Sequence, residues 1–262
     1  MPILPNMEQG NVYTGYQTFT DQVFTNNNPG SKTPAGDIAI QRQSRHTVIN
    51  PFVCPSDGGP YGNELGDNTW GFMRASYRAC TGSGDMYGNT PYGEPSNPAV
   101  FAVGVYGVTR ENPVLNKTTK ARQVQITAIK DGTSNTVSFS EGIMPQTGGW
   151  GGPIGNTWLG NMGGGLMTTT FTPNSTVPDK IVGPCPKDNG DNTYLPPCNK
   201  IADNDSNARS ADAAHAAARS FHTGGVNVGM TDGGVRFVRN SIDLAAWRAM
   251  GTMSNGEVIN DN

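Results

Sequence analysis

The residues able to do chemistry are few. The chain holds three histidines, His46, His215 and His222, and four cysteines, Cys54, Cys80, Cys185 and Cys198. His215 and His222 stand seven positions apart, a spacing that puts both on one face if a helix carries them. A metal held there needs a third ligand, and Asp212 and Asp232 are the nearest acids. The plainer role for His222 is a hydrogen bond to backbone where that helix gives way to a strand. No Cys-x-x-Cys pair occurs, so zinc-ribbon spacing is absent. Cys185 and Cys198 bracket a Pro/Asn/Asp-rich loop with little apolar material to hold it. A disulfide closing a loop of that length contributes about 3 kcal/mol. Cys54 with Cys80 is the second candidate pair. Either bridge implies an oxidising compartment, the cell envelope or exterior.

Oxygen ligands cluster in two stretches, 187–192 and 203–207, which makes Asp188, Asp191, Asp203 and Asp205 candidates for a calcium site outside the EF-hand class. The EF-hand pattern itself fails: Ala208 stands where glycine is needed and Ala214 where the bidentate glutamate belongs. A solvated Asn/Asp loop accounts for the same residues. Glycoside cleavage needs two carboxylates in one cleft, and Asp57, Glu64, Asp131, Glu141 and Asp232 are the acids to consider. Each also has a turn or capping explanation. No Gly-x-Ser-x-Gly occurs, and the serines near His222 and Glu141 follow no triad order. Gly163-Gly164-Gly165 lacks the Lys-Ser/Thr ending of a phosphate loop. The residues therefore assign no catalytic role and no cofactor beyond calcium, and the chain is expected not to be an enzyme. Trp150 and Trp158, in the Gly-rich stretch 146–170, are candidates for holding a sugar or other small solute.

Composition narrows the frame that must position these groups. The chain has 262 residues and a net charge of −3, enough for one domain with a real core. Gly (35) and Pro (19), with 26 Asn, make it rich in turns and exclude helical solenoids and coiled coils. The 18 Lys+Arg are outnumbered by 21 Asp+Glu and form no basic run, which argues against nucleic-acid binding. No window of about 18 apolar residues exists to span a membrane.

The pattern predicts a short helix over 4–17 with Pro5 in its first turn. Strands are predicted over 48–53, 74–79, 99–108, 123–129 and 136–140, and 172–207 reads as a polar insertion. Ser210–Ser220, capped by Ser210 and filled with alanine, predicts a helix. Asp232-Gly233 then reads as the two-residue loop of a type I′ hairpin, setting Met230 opposite Val235 and Val228 opposite Phe237. All four would share one face. A helix starting near Asp243 has Leu244, Trp247 and Met250 as its apolar stripe and Gly251 as its stop. The sum is a single α+β domain over 1–262 with an antiparallel sheet, short helices and long Gly/Pro/Asn-rich loops, its informative end at 210–258.

Five blocks carry a family resemblance. His222 and Asp232-Gly233 enclose nine residues, and this His-x(9)-Asp-Gly stretch resembles the signature of prepilin-like proteins abundant in planctomycete-type bacteria. Residues 3–10 (ILPNMEQG) resemble that family's LPYLEQ block, Phe52–Asp57 its CPSD block, and 129–136 (IKDGTSNT) its DGTSNT block, with Glu141 at that block's glutamate. Residues 241–251 and 256–258 resemble its tail. The resemblance implies a type II secretion pseudopilin-like head, non-catalytic, whose N-terminal apolar pilin helix is absent from this sequence. The first block at residue 3 reads as a cut just below that helix. The implied setting is an envelope assembly, anchored in the inner membrane in full length, with other pilin-like subunits or the secretion apparatus as partners. His222, Asp232 and Gly233 then form a structural motif, with His222 bonded to Asp232 or a nearby carbonyl. An extracytoplasmic solute- or carbohydrate-binding module around Trp150 and Trp158, in line with the family's solute-binding-like label, is the alternative, and an envelope hydrolase, which needs clustered carboxylates or a metal in one cleft, is the third.

Overall fold

The computed structural model describes residues 3–15, 43–44, 47–57, 73–85, 101–107, 109–110, 119–120, 123–144, 155, 162–182, 185, 197–201 and 214–256. Among these, the strands in chain order are β1 (Tyr77–Cys80), β2 (Thr109–Arg110), β3 (Thr119–Lys120), β4 (Val137–Glu141) and β5 (Leu166–Met167). They continue with β6 (Asp179–Val182), β7 (Cys198–Ile201), β8 (Gly225–Met230) and β9 (Val235–Arg239). Five build one sheet in the order β5-β1-β4-β8-β9, antiparallel except for the β1–β5 pair. β2 and β3 form an antiparallel pair, β6 and β7 a parallel one. The class is α+β, as the composition and order of elements predict.

The core lies on one face of the large sheet. Cys80, Val137, Val226, Val228, Met230 and Val238 pack against Trp247 and Met250 of the C-terminal helix, Leu244–Gly251. That helix forms where the sequence predicts, with Trp247 and Met250 in the core, but Leu244 is only half-buried and Gly251 is its last residue, with Thr252 at the C-cap. Asp243 caps it by accepting from Ala246 N at 3.0 Å, and the fully buried Trp247 donates its indole N–H to Phe171 O at 2.9 Å. A second cluster gathers Leu4, Val12, Ile49, Met73 and Ala75 around the N-terminal segment. There Leu4–Met7 is a 3-10 turn with Pro5 in its first turn, ended by Glu8 in the left-handed region (φ 59), before a short helix over 10–15.

Several expected elements differ. Strand 48–53 is instead a 3-10 turn, Asn50–Phe52, with Pro51 inside it. Over 123–129 the alternating pattern gives a second 3-10 turn, Ile126–Ala128, which leaves Ile126 exposed. Within 99–108, the described residues 101–107 make only an isolated bridge, Gly82 to Val103, at a close backbone approach where neither Gly82 nor Gly104 has room for a Cβ. The polar insertion contains the β6–β7 pair. The described part of the expected helix, 214–220, is extended. His215 exchanges backbone bonds with Lys180, Ala216 O accepts from Thr168 N, Ala218 O from Asn174 N, and Arg219 N donates to Glu141 O. Those tertiary bonds outweigh the helix propensity of alanine, whose small side chains allow the close approach.

The hairpin is present with a different register. Gly229 pairs with Val235 and Val228 with Arg236, and Met230 N donates to Gly234 O. The loop thus has one residue more than the two-residue turn expected. Gly233 takes φ 89, and Asp232 Oδ1 accepts from Gly234 N at 2.8 Å. The slip of one moves β9 side chains to the opposite faces. Val235 and Phe237 are exposed rather than sharing the core face with Val228 and Met230, and Val238 takes the buried position.

Candidate functional site

The site begins with a bulge. Val137 pairs with Met230, but Phe139 pairs with Gly229 and Ser140 with Val228, so β4 holds an extra residue there. Without it Glu141 would fall opposite Val226; with it Glu141 lies beside Asn227. Paired residues share a face, so Tyr77, Glu141, Asn227 and Phe237 form one row across β1, β4, β8 and β9, away from the Trp247 core. The carboxylate is fixed from β8: Asn227 N donates to Oε2 at 2.7 Å and its side-chain amide to Oε1 at 3.0 Å.

Two loops bring further groups to the same oxygen. His222 precedes β8, its backbone N held by Ser220 Oγ at 3.1 Å, and its Nε2 reaches Glu141 Oε1 at 3.0 Å. Cys54 follows the Asn50–Phe52 turn. Its backbone N donates to Ser76 Oγ at 3.0 Å, and Ser76 in turn donates to Asp57 Oδ2 at 3.0 Å. That places Cys54 Sγ 3.7 Å from Glu141 Oε1 and 3.8 Å from His222 Nε2. Glu141 is almost fully covered, while the His222 side chain is 30% exposed. Burial holds the neighbouring Tyr77 hydroxyl above its ordinary pKa, and the adjacent Cys54 and Glu141 act in the same direction. Gly142 lies against the Arg78 guanidinium, where a Cβ has no room.

This geometry is not that of a nucleophilic triad. A triad histidine uses one ring nitrogen for the nucleophile and the other for the acid. Here the same nitrogen faces both the thiol and the carboxylate. What converges is a sulfur, a nitrogen and an oxygen on one point, each offering a ligand atom.

Other expected residues fall elsewhere. Cys185 and Cys198 form the disulfide, with Cα atoms 5.8 Å apart. Cys54 and Cys80 do not pair: both are free, because Cys54 joins the Glu141 site while Cys80 lies in the core, where burial pushes its thiol up to about 12. His222 bonds Glu141, not Asp232 or a carbonyl. Asp232 instead closes its own turn and donates its backbone N to Thr133 O at 3.1 Å. His215 shares no helix face with His222; its Nε2 faces Pro178 O at 3.2 Å. Asp131 is spent on the tail, where it accepts from Asn255 N and Gly256 N at 3.0 and 2.9 Å. Asp57 accepts from Ser76 and Met144 N. His46, Glu64, Trp150, Trp158, Asp188, Asp191, Asp203, Asp205 and Asp212 lie outside the described residues. The Cys54–Glu141–His222 convergence is absent from the sequence expectations. Its members are 81 to 168 positions apart, and only their shared membership of the resemblance blocks hinted at it.

Fold and site thus define an α+β domain with a disulfide, compatible with an extracytoplasmic setting, and no helix among the described residues is long and apolar enough to cross a membrane. The chain belongs to the family described as "SBP_bac_10: Protein of unknown function (DUF1559)", whose profile matches residues 1–245. Comparison with curated proteins and with solved structures gives no match.

Proposed function

We propose that this chain is the non-catalytic head domain of a pseudopilin-like envelope protein, working as a structural subunit. The supporting observation is how the block residues spend their polar atoms. Asp131 ties the DGTSNT block to the tail through Asn255 and Gly256. Thr136 O of the same block accepts both Thr231 N and Thr231 Oγ1, inside the His-x(9)-Asp-Gly stretch, at 2.9 Å each. Glu141 meets Cys54 of the CPSD block and His222 of the signature. Motif bonds motif, which is how a rigid head is specified.

On this reading the full-length protein is anchored by an N-terminal apolar helix and its partners are other pilin-like subunits. The test is to express the native reading frame in its host, separate inner membrane from sheared surface material, and crosslink. The expected result is inner-membrane residence with crosslinks to pilin-like subunits. A freely released protein that gains thermal stability with sugars would instead establish the solute-binding module.

A further inference from the structure

We infer that Cys54, Glu141 and His222 form a binding site for a zinc-class divalent metal ion, independently of the pilin-like reading. Three donors of different chemistry meet at one place: a thiol sulfur, an imidazole nitrogen and a carboxylate oxygen, within 4.8 Å of one another. Their separations are 3.0, 3.7 and 3.8 Å. With metal–donor bonds of about 2.0–2.3 Å, tetrahedral donors lie about 3.3–3.6 Å apart. The cluster therefore needs shifts of only a few tenths of an ångström to close on an ion.

The surroundings agree. Asn227 holds both carboxylate oxygens from behind, the outer-shell support expected of a metal-bound carboxylate. Ser76 fixes the backbone of Cys54. The part-exposed His222 leaves one side open to water for a fourth ligand. Sulfur and imidazole select zinc over calcium or magnesium, which prefer oxygen alone. On binding, the thiol of Cys54 releases its proton to solvent and a metal–sulfur bond forms.

The test uses the purified chain, treated with chelator and titrated with Zn2+ and with Co2+ as the spectroscopic probe. The expected result is one equivalent bound, a rise in melting temperature, and a thiolate-to-cobalt charge-transfer band. Cys54→Ser should lose that band while keeping its circular dichroism. Asn227→Ala, which leaves the ligands in place, should weaken Zn2+ binding by about tenfold. His215→Gln should bind as the parent does. A parent protein without the cobalt–thiolate band, or a Cys54→Ser variant that keeps it, overturns the proposal. Calcium displacing Co2+ from that band as readily as zinc does so too.

Discussion

Replacing Arg219 by methionine should be among the most damaging single changes in the molecule. Arg219 and Asp179 are each 1% exposed and meet at 2.7 Å. The guanidinium also approaches the second carboxylate oxygen at 3.1 Å and donates to Ser175 O at 2.6 Å and Val177 O at 3.0 Å. Methionine fills similar volume but leaves the Asp179 charge buried with Ala217 N, at 3.0 Å, as its one remaining donor among the described residues. Breaking a buried pair in this way costs about 3–5 kcal/mol. Against a total of about 5–15 kcal/mol, that is a large share. For a chain of this size it lowers the melting temperature by about 6–20 °C. Urea unfolding followed by tryptophan fluorescence, with the fully buried Trp247 as a reporter, measures it. Adding Asp179→Asn to Arg219→Met removes the stranded charge and should recover about 1–3 kcal/mol. A single variant costing under about 1 kcal/mol, or a double variant as weak as the two losses summed, would show that no charge is stranded when Arg219 is lost.

Changing both Cys185 and Cys198 to alanine should cost about 3 kcal/mol, and reductant should lower the parent to the same melting temperature. The His215 imidazole, buried and held below its ordinary value of 6.5, resists a proton that the unfolded chain accepts. Its contribution to stability is full above about pH 6.5 and declines as the pH falls toward the lowered folded value. His215→Gln should therefore lose less stability than the parent between about pH 7.5 and 5.5 in denaturation series; parallel curves would show that His215 does not titrate this way. Gly104→Ala places a methyl 2.6 Å from Gly251 O and 2.8 Å from Gly82 N, both backbone atoms that cannot swing aside. A loss of about 1–3 kcal/mol in the same assay is expected, and an unchanged midpoint would contradict it.

Local chemistry made parts of the fold legible from sequence. Asp243 and the Trp247–Met250 stripe carry their own cap and face, so the C-terminal helix was readable. So were the β4 strand and the Cys185–Cys198 bridge. Elsewhere the deciding partners are remote. The alanines at 216–218 look helical until Thr168, Asn174 and Asp179 claim their backbone groups. The hairpin turned on one residue of loop length, which no alternation of Val and Met could settle once Val235 and Phe237 tolerate exposure. The Glu141 site depends on a bulge in β4, and a bulge leaves no periodic mark in sequence.

The parallel pairing of β6 with β7 has a consequence for how this chain can vary. Asp179 pairs with Cys198 and Val182 with Ile201, so the connection must cross back along the pair. The disulfide joins Cys185, just past β6, to Cys198, the first residue of β7. The disulfide therefore closes the peptide between the two cysteines into a covalent ring. The cystine and the pairing of Asp179 with Cys198 both hold the first residue of β7 in place, whatever the length of the peptide between the cysteines. Insertions there enlarge the ring at a cost that grows only logarithmically with length. A display segment exchanged at 186–196, sparing Pro197, whose carbonyl accepts from Asp179 N at 2.9 Å, would leave Asp179, and through it Arg219, where they are.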